Sequence, residues 1–98
     1  MKIFILRQAY DDIADGFEFY ESQDAGLGDY FEDTIFGDID SLAFYGGIHP
    51  LRYGFHRLLA HRFPYAIFYR VMKEQVHVVA ILDCRRDPRW IRRQLRKR

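Results

Sequence analysis

The sequence predicts a single α+β domain over residues 1–98, in which an N-terminal αα-hairpin packs on one face of a twisted, mainly antiparallel sheet. Two patterns predict this class: the first half repeats apolar residues at helical spacing, whereas the second half alternates or runs apolar as strands do. A length of 98 residues allows one domain, and 49% apolar residues are enough for one packed core. The predicted order is β-α-α-β-β-β with a short C-terminal helix.

The first half begins with a short strand and continues with two helices. Residues 2–6 are rich in Ile and Phe, as strands are, and the apolar spacing then changes to i, i+3, i+4, i+7. Asp24-Ala25-Gly26 interrupts this period, and such a short break favours two antiparallel helices. Acidic residues are expected in the first turn of the first helix. The predicted apolar faces are Tyr10, Ile13, Ala14, Phe17 and Tyr20, followed by Leu27, Phe31, Ile35, Ile39 and Leu42.

The second half predicts three strands and a last helix. Residues 76–82 are almost continuously apolar, which indicates a central strand covered on both faces. Pro64 cannot donate a hydrogen bond to a ladder, so it marks a strand start or a bulge. Residues 72–75 form the hairpin connection between the strand over residues 65–72 and the central strand. The other predicted segments are a strand over residues 53–60, a strand over residues 65–72, and a helix over residues 89–95 that follows Pro88.

Charge is distributed unevenly between the two halves. Residues 1–50 carry two basic and eleven acidic side chains, a net charge of −9, and residues 51–98 carry thirteen basic and three acidic ones, a net charge of +10. Either the halves pack together and neutralise each other, or the basic half binds RNA, DNA or an acidic protein segment. The second interpretation is stronger at the end of the chain, where eight basic residues crowd into fourteen positions: Arg85, Arg86, Arg89, Arg92, Arg93, Arg96, Lys97 and Arg98.

Catalytic and metal chemistry has few candidates. A single cysteine excludes an internal disulfide, and no histidine pair has metal-ligand spacing, so no metal or other cofactor is expected. Arginines near Cys84 would favour its thiolate, although a lone cysteine at a strand end is usually inert. His61 is the first candidate for an acid or base. Without an apolar run of spanning length or a signal-peptide core, the chain is expected to be cytoplasmic, with no membrane partner.

The arginines of the predicted strands are the main candidates for binding. On an antiparallel sheet, five of them are expected to converge on one concave surface and hold phosphate through forked donors. Nearby aromatic residues would stack bases or anchor an acidic peptide. The arginines are Arg57, Arg62, Arg70, Arg85 and Arg86, and the aromatic residues are Tyr65, Tyr69 and Trp90.

Two segments of the second half resemble the RelE/ParE toxin family of type II toxin–antitoxin systems. Residues 62–71, RFPYAIFYRV, are similar to its "RFPY-x-I-x-Y-x-V" segment, and residues 76–88 to its "I-x-V-x-A-V-x-H-x-R-R-D-P" segment. Residues 9–13 resemble the family's opening, so the likeness extends over nearly the whole chain. The resemblance implies a microbial-ribonuclease-like α+β fold and a cytoplasmic toxin that a cognate antitoxin neutralises, with operator DNA contacted only through the antitoxin.

The family implies two kinds of target. RelE-like members cleave mRNA in the ribosomal A site, whereas ParE-like members inhibit DNA gyrase. Three departures from the nuclease pattern favour the ParE-like interpretation: Ala66 replaces an arginine, Asp83 replaces a histidine, and no C-terminal tyrosine or histidine matches near Trp90. A subunit that has lost its toxicity is a third interpretation.

Each interpretation assigns its own site residues. If the chain is an endoribonuclease, Arg57 and Arg86 would stabilise phosphate charge and His61 would move protons. If it acts by binding, the residues that contact the target or the antitoxin are expected to be Arg62, Arg85, Arg86, Arg89 and Trp90.

Overall fold

A five-stranded sheet forms the centre of the protein. The computed structural model describes residues 1–98. The elements in chain order are β1 (Lys2–Ile5), α1 (Arg7–Glu21), α2 (Leu27–Asp40), α3 (Leu42–Tyr45), β2 (Leu51–Arg52), β3 (Phe55–Leu59), β4 (Tyr65–Met72), β5 (Gln75–Asp83) and α4 (Pro88–Arg96).

The strands lie in the order β1-β5-β4-β3-β2. β1 runs parallel to β5, because the α1–α2 hairpin carries the chain away before it returns, and every other pair is antiparallel. β5 is the long central strand, and six of its nine residues are buried. These observations confirm the predicted fold class and the prediction of a central strand covered on both faces.

The predicted strand over residues 53–60 is interrupted by a tight turn. Tyr53 and Gly54 both have positive φ angles, of 54° and 86°, which is the backbone of a two-residue type I′ hairpin. The segment therefore divides into β2 and β3. The same turn geometry at Lys73 and Glu74 joins β4 to β5, as predicted from the sequence.

The α1–α2 hairpin covers one face of the sheet, which we call the hairpin face. Its core is aromatic and aliphatic, with Phe31 and Ile35 completely buried against Ile67 and Tyr69 of β4. Of the predicted apolar face, α2 buries Phe31, Ile35 and Ile39, Leu42 is buried in α3, and Leu27 is half-buried. The second helix is shorter than predicted, because a kink at Ser41 separates the single turn of α3.

The buried face of α1 differs from the prediction. The helix begins at Arg7, so no acidic residue lies in its first turn, and Tyr10 is half-exposed. The close approach of Gly16 to Phe31 explains the rotation, because a Cβ atom at Gly16 would lie 2.5 Å from the Phe31 ring. The residues that α1 buries are Ala9, Ile13, Gly16 and Tyr20.

α4 covers only part of the opposite face, which we call the α4 face. Ile91 and Leu95 pack on Ala66, Phe68 and the end of β5. The helix begins as predicted: Pro88 takes the first position, and the Asp87 carboxylate caps it by accepting the Arg89 backbone N–H at 2.8 Å. No helix in the protein has both the length and the apolar character needed to cross a membrane.

Two side chains complete the edge of β5 where β1 ends. The β1 ladder stops opposite Val78, and β5 is irregular next to this point. Beyond it, the Asp12 carboxylate accepts the Ile81 N–H at 3.0 Å, and Arg98 donates to the Val79 carbonyl at 2.9 Å. Arg98 also forms a two-bond ion pair with Asp12 at 2.8 and 3.0 Å, so this pair joins the C-terminus to α1 and β5.

Candidate functional site

Three arginines line one small cavity on the α4 face, which we call the arginine pocket: Arg52, Arg57 and Arg86. Arg52 ends β2 beside the Tyr53-Gly54 turn. Arg57 lies in β3 opposite Phe68 and therefore on the α4 side of the sheet. Arg86 belongs to the turn between β5 and α4. The cavity has a volume of about 110 Å³, and its other lining residues are Tyr53, Ala66, Phe68, Cys84, Pro88 and Ile91.

None of the three arginines of the pocket forms an ion pair with a carboxylate: the protein contains four ion pairs, and none of them includes Arg52, Arg57 or Arg86. Arg86 lies over the Trp90 ring, with its Cζ atom 3.9 Å from the ring centroid, and Arg52 lies 5.0 Å from the Tyr53 centroid. Aromatic faces hold these guanidinium groups without neutralising them. Their forked donors remain available to an anion such as a phosphate or a carboxylate.

Arg86 also lines a second cavity, together with Trp90 of α4. This cleft of about 440 Å³ lies between α1 and α4, and it is lined by Phe19, Asp15 and Asp83 among others. Arg86 therefore lines both the arginine pocket and this more acidic cleft, whereas the half-buried Trp90 lines the cleft.

Arg85 and Arg86 are neighbours in sequence but diverge in space. The Arg85 guanidinium donates two hydrogen bonds to Asp83, at 3.0 and 2.9 Å, and it lies close to Tyr20 of the hairpin face. Burial alone would raise the pKa of Asp83, but the hydrogen bonds from Arg85 outweigh it and the pKa is lowered. Arg85 is therefore bound within the chain, whereas Arg86 is not.

The remaining predicted site residues also lie apart from the pocket. Arg89 pairs with Asp87 at 3.0 Å, and both side chains are well exposed. Arg62 is exposed in the loop between β3 and β4. His61, in the same loop, contacts α2: its Nδ1 atom lies 2.7 Å from an Asp38 oxygen, and its backbone N–H donates to the same carboxylate. The structure thus brings Arg57 and Arg86 together but does not bring His61 to them.

The aromatic residues on the α4 face are not those expected from the sequence. Tyr65 and Tyr69 are buried on the hairpin face, and burial raises the pKa of Tyr65 to about 12. Neither ring is available for stacking, whereas Tyr53 and Trp90 are partly accessible. The sequence analysis missed Tyr53 because it predicted a strand over residues 53–60, and it did not single out Arg52, which precedes that strand. The glycine at position 54 was the available signal for a turn.

Cys84 borders the arginine pocket as a thiol, which agrees with the expectation that a lone cysteine at a strand end is inert. Partial burial raises its pKa, and this effect outweighs the opposing influence of Arg57. The pocket therefore combines three guanidinium groups with a protonated thiol and the Tyr53 phenol. Such a group of side chains can bind an anion strongly, but it contains no carboxylate or imidazole to move a proton.

Comparison with known proteins identifies the fold. No family model and no curated protein sequence matches the chain. Among solved structures, the chain is similar to one described as "Chromosomal ParDE TA system from P. aeruginosa", with a TM-score of 0.74 and 17% sequence identity over 83% of this chain and 92% of that chain. The protein therefore has a ParE-like fold, which agrees with the fold that the sequence resemblance implied.

Proposed function

We propose that this chain is the toxin of a type II toxin–antitoxin system, of the ParE kind, which inhibits growth by binding its target and is neutralised by a cognate antitoxin. The fold supports this proposal, because the similar solved structure is described as a ParDE TA system. The two sequence segments that resemble RelE/ParE toxins support it independently, since they rest on residue identity and not on shape.

The composition of the arginine pocket favours binding over cleavage. Metal-free hydrolysis of RNA needs a group that moves a proton as well as cations that stabilise phosphate charge. Arg57 and Arg86 supply the cations, but the imidazole of His61 is bonded to Asp38 on the hairpin side. We therefore assign target contact to Arg86 and Trp90, assisted by Arg52 and Arg57.

The other expected contacts have smaller roles in this proposal. Arg62 belongs to the binding set because it is exposed and unpaired. Arg85 and Arg89 would have to exchange an existing carboxylate partner for a new one, so each contributes less. Exposed ion pairs are worth roughly 0–1 kcal/mol, which makes apolar anchors necessary for a tight complex. Exposed apolar side chains that suit an antitoxin follow one another from α3 to β2: Phe44, Tyr45, Ile48 and Leu51.

Expression of the chain with and without the antitoxin from an adjoining gene tests the toxin assignment. We expect growth to stop without the antitoxin and to resume with it. Expression that leaves growth unaffected would instead favour a subunit that has lost its toxicity and only accompanies its antitoxin on operator DNA.

A supercoiling assay with purified DNA gyrase and a translation reaction with ribosomes and mRNA identify the target. The ParE-like proposal predicts inhibited supercoiling and intact message. The alternative is a RelE-like, ribosome-dependent endoribonuclease, which is favoured by the single observation that Arg57 and Arg86 share a pocket. It predicts cleaved message, lost on replacement of either arginine. Because His61 is held by Asp38, the His61→Gln variant distinguishes whether this residue takes part.

A further inference from the structure

The cleft between α1 and α4 has walls of opposite charge, and we call it the α1–α4 cleft. α1 carries five carboxylates, and its only cation is Arg7 at the first position. α4 carries four arginines and no carboxylate. Tyr65, Ile81 and Leu82 of the sheet also line the cleft. Its volume of about 440 Å³ lies within the range of small-molecule sites, roughly 300–1,000 Å³, so the cleft is large enough for a small ligand.

One free charge remains on each side of the α1–α4 cleft. The carboxylates of Asp12 and Asp83 line it, but an arginine holds each of them. Asp15 of α1 and Arg86 of the turn before α4 line it too, and neither takes part in any of the four ion pairs. The cleft therefore presents one anion and one cation that do not satisfy each other.

An aromatic ring accompanies each free charge. Phe19 follows Asp15 by one helical turn, lines the same cleft and is 47% exposed. A carboxylate beside an aromatic ring is a favourable place for an ammonium group. On the other side, the Trp90 ring holds the Arg86 guanidinium, whose Cζ atom lies 3.9 Å from the ring centroid, and leaves its forked donors to a carboxylate. The α1 side thus suits an ammonium group, and the α4 side suits a carboxylate.

The Tyr65 hydroxyl is a second, independent indication of a ligand. Tyr65 is only 8% exposed, and its ring packs in the core against Phe31, with centroids 5.0 Å apart. Its hydroxyl forms no hydrogen bond within the protein, and since Arg70 Nε is the only unpartnered polar side-chain atom sealed from solvent, the hydroxyl retains access to the cleft. A largely buried hydroxyl without a partner costs free energy, and a ligand in the cleft would supply that partner.

We infer that the α1–α4 cleft binds a small zwitterion of the amino-acid class, with its ammonium group on Asp15 and Phe19, its carboxylate on Arg86, and a hydrogen bond to the Tyr65 hydroxyl. A ligand with one charge fits less well, because an ammonium group alone leaves Arg86 unpaired and a carboxylate alone leaves Asp15 unpaired. The inference does not rest on the toxin proposal. Its test measures binding and not growth, so either proposal can fail without the other.

The fluorescence of Trp90 tests this inference with the whole chain. Trp90 is the only tryptophan and it lines the cleft, so its emission reports directly on occupancy. Three probes share one aromatic body and differ in charge: L-phenylalanine is a zwitterion, phenylethylamine is a cation and phenylpropanoate is an anion. We expect saturable binding of phenylalanine and at least about fivefold weaker binding of the other two, because each lacks one charge-assisted contact.

Asp15→Asn and Asp11→Asn form a matched pair of variants. Both replace one carboxylate of α1, but only Asp15 lines the cleft. We expect Asp15→Asn to weaken phenylalanine binding at least about fivefold and to remove the advantage of phenylalanine over phenylpropanoate. Asp11→Asn should change phenylalanine binding less than about twofold. Far-ultraviolet circular dichroism establishes that both variants fold.

Arg86→Gln tests the other side of the cleft. It should remove the advantage of phenylalanine over phenylethylamine, whereas Arg93→Gln, on α4 outside the cleft, should retain it. Isothermal titration calorimetry measures these two variants, since Arg86→Gln changes the surroundings of Trp90. The inference is overturned if phenylalanine does not bind, if either singly charged probe binds as tightly, or if Asp15→Asn and Asp11→Asn are equivalent.

Discussion

The two faces of the sheet differ in how completely they are covered. On the hairpin face, Tyr20, Phe31, Phe63 and Tyr65 form one cluster of rings whose centroids lie 4.7 to 6.2 Å apart. On the α4 face, a nine-residue helix leaves Phe4 exposed to solvent and three arginines around a pocket. The hairpin face therefore provides most of the stability, and the α4 face is free to bind a partner.

The charges of the two halves differ in the same way. Among the eleven carboxylates of the first half, Asp12 pairs with Arg98 and Asp38 with His61, while Glu21 accepts the backbone N–H groups of Gly26 and Gly28. The others face solvent or lie at the surface without a cation. The halves therefore neutralise each other only in part, through the Asp12–Arg98 and Asp38–His61 pairs.

The largest expected effect comes from the core of the hairpin face. Replacing Phe31 with Ala removes the ring on which α1 and the sheet both pack, so we expect the free energy of unfolding to fall by about 3–5 kcal/mol. Urea unfolding measures this loss. Phe44→Ala is the control, because Phe44 is 87% exposed and its loss should change stability by less than about 0.5 kcal/mol. Equal losses of stability for Phe31→Ala and Phe44→Ala would contradict the claim that the hairpin face provides most of the stability.

The next effect concerns the Asp12–Arg98 pair at the border between the two faces. Only 13% and 8% of these side chains are exposed, so removing one partner leaves an almost buried charge. We expect Asp12→Ala to destabilise the fold by about 3 kcal/mol. A double-mutant cycle with Arg98→Met should give a loss well below the sum of the two single losses, and strict additivity would show that the pair is not coupled.

A smaller, pH-dependent effect is expected at the other edge of the sheet. The Tyr69 hydroxyl accepts the Gly47 N–H at 3.0 Å and, donating its own proton, contacts His49 Nδ1, while His56 Nδ1–H donates to the His49 carbonyl at 2.7 Å. Burial, with a contribution from His56, lowers the pKa of His49. The folded state thus favours the neutral imidazole, and stability is lost as the pH falls below about 6.5, through the lowered pKa.

Urea unfolding at several values between about pH 7.5 and about pH 5.5 checks this effect, since carboxylates titrate below this window. Protonated His49 can no longer accept a hydrogen bond from the Tyr69 hydroxyl, and stability therefore falls as the pH falls. The His49→Gln variant should have a flatter profile than the wild-type protein. The assignment of this pH dependence to His49 would be contradicted if the stability of the wild-type protein did not fall with pH, or if His49→Gln lost stability to the same extent.

Much of the fold was predictable because it depends on local pattern. The Val76–Leu82 run identified the central strand, and Pro88 identified the start of α4. The turn at Tyr53 was missed because a two-residue turn barely interrupts the apolar pattern of the segment, so the two strands resemble one strand of ordinary length. The rotation of α1 was missed because it depends on the contact of Gly16 with Phe31, which is tertiary.

The candidate site was less predictable than the fold. The sequence analysis grouped Arg85 with Arg86. In the structure, Asp83 binds Arg85, whereas Arg86 stacks on the Trp90 indole. The sequence analysis also proposed His61 as a free acid or base, whereas Asp38, 23 residues earlier, accepts its hydrogen bond. Spacing along the chain does not specify which neighbour a flexible side chain contacts.

Growth inhibition by the Arg57→Gln/Arg86→Gln double variant tests the central claim most directly. Arg93→Gln/Lys97→Gln is the matched control, since it removes the same charge from the outer side of α4. We predict that the first variant loses growth inhibition while its free energy of unfolding stays within about 0.5 kcal/mol of the wild-type value, and that the control stays toxic. Full toxicity of Arg57→Gln/Arg86→Gln, at equal expression, would contradict the account.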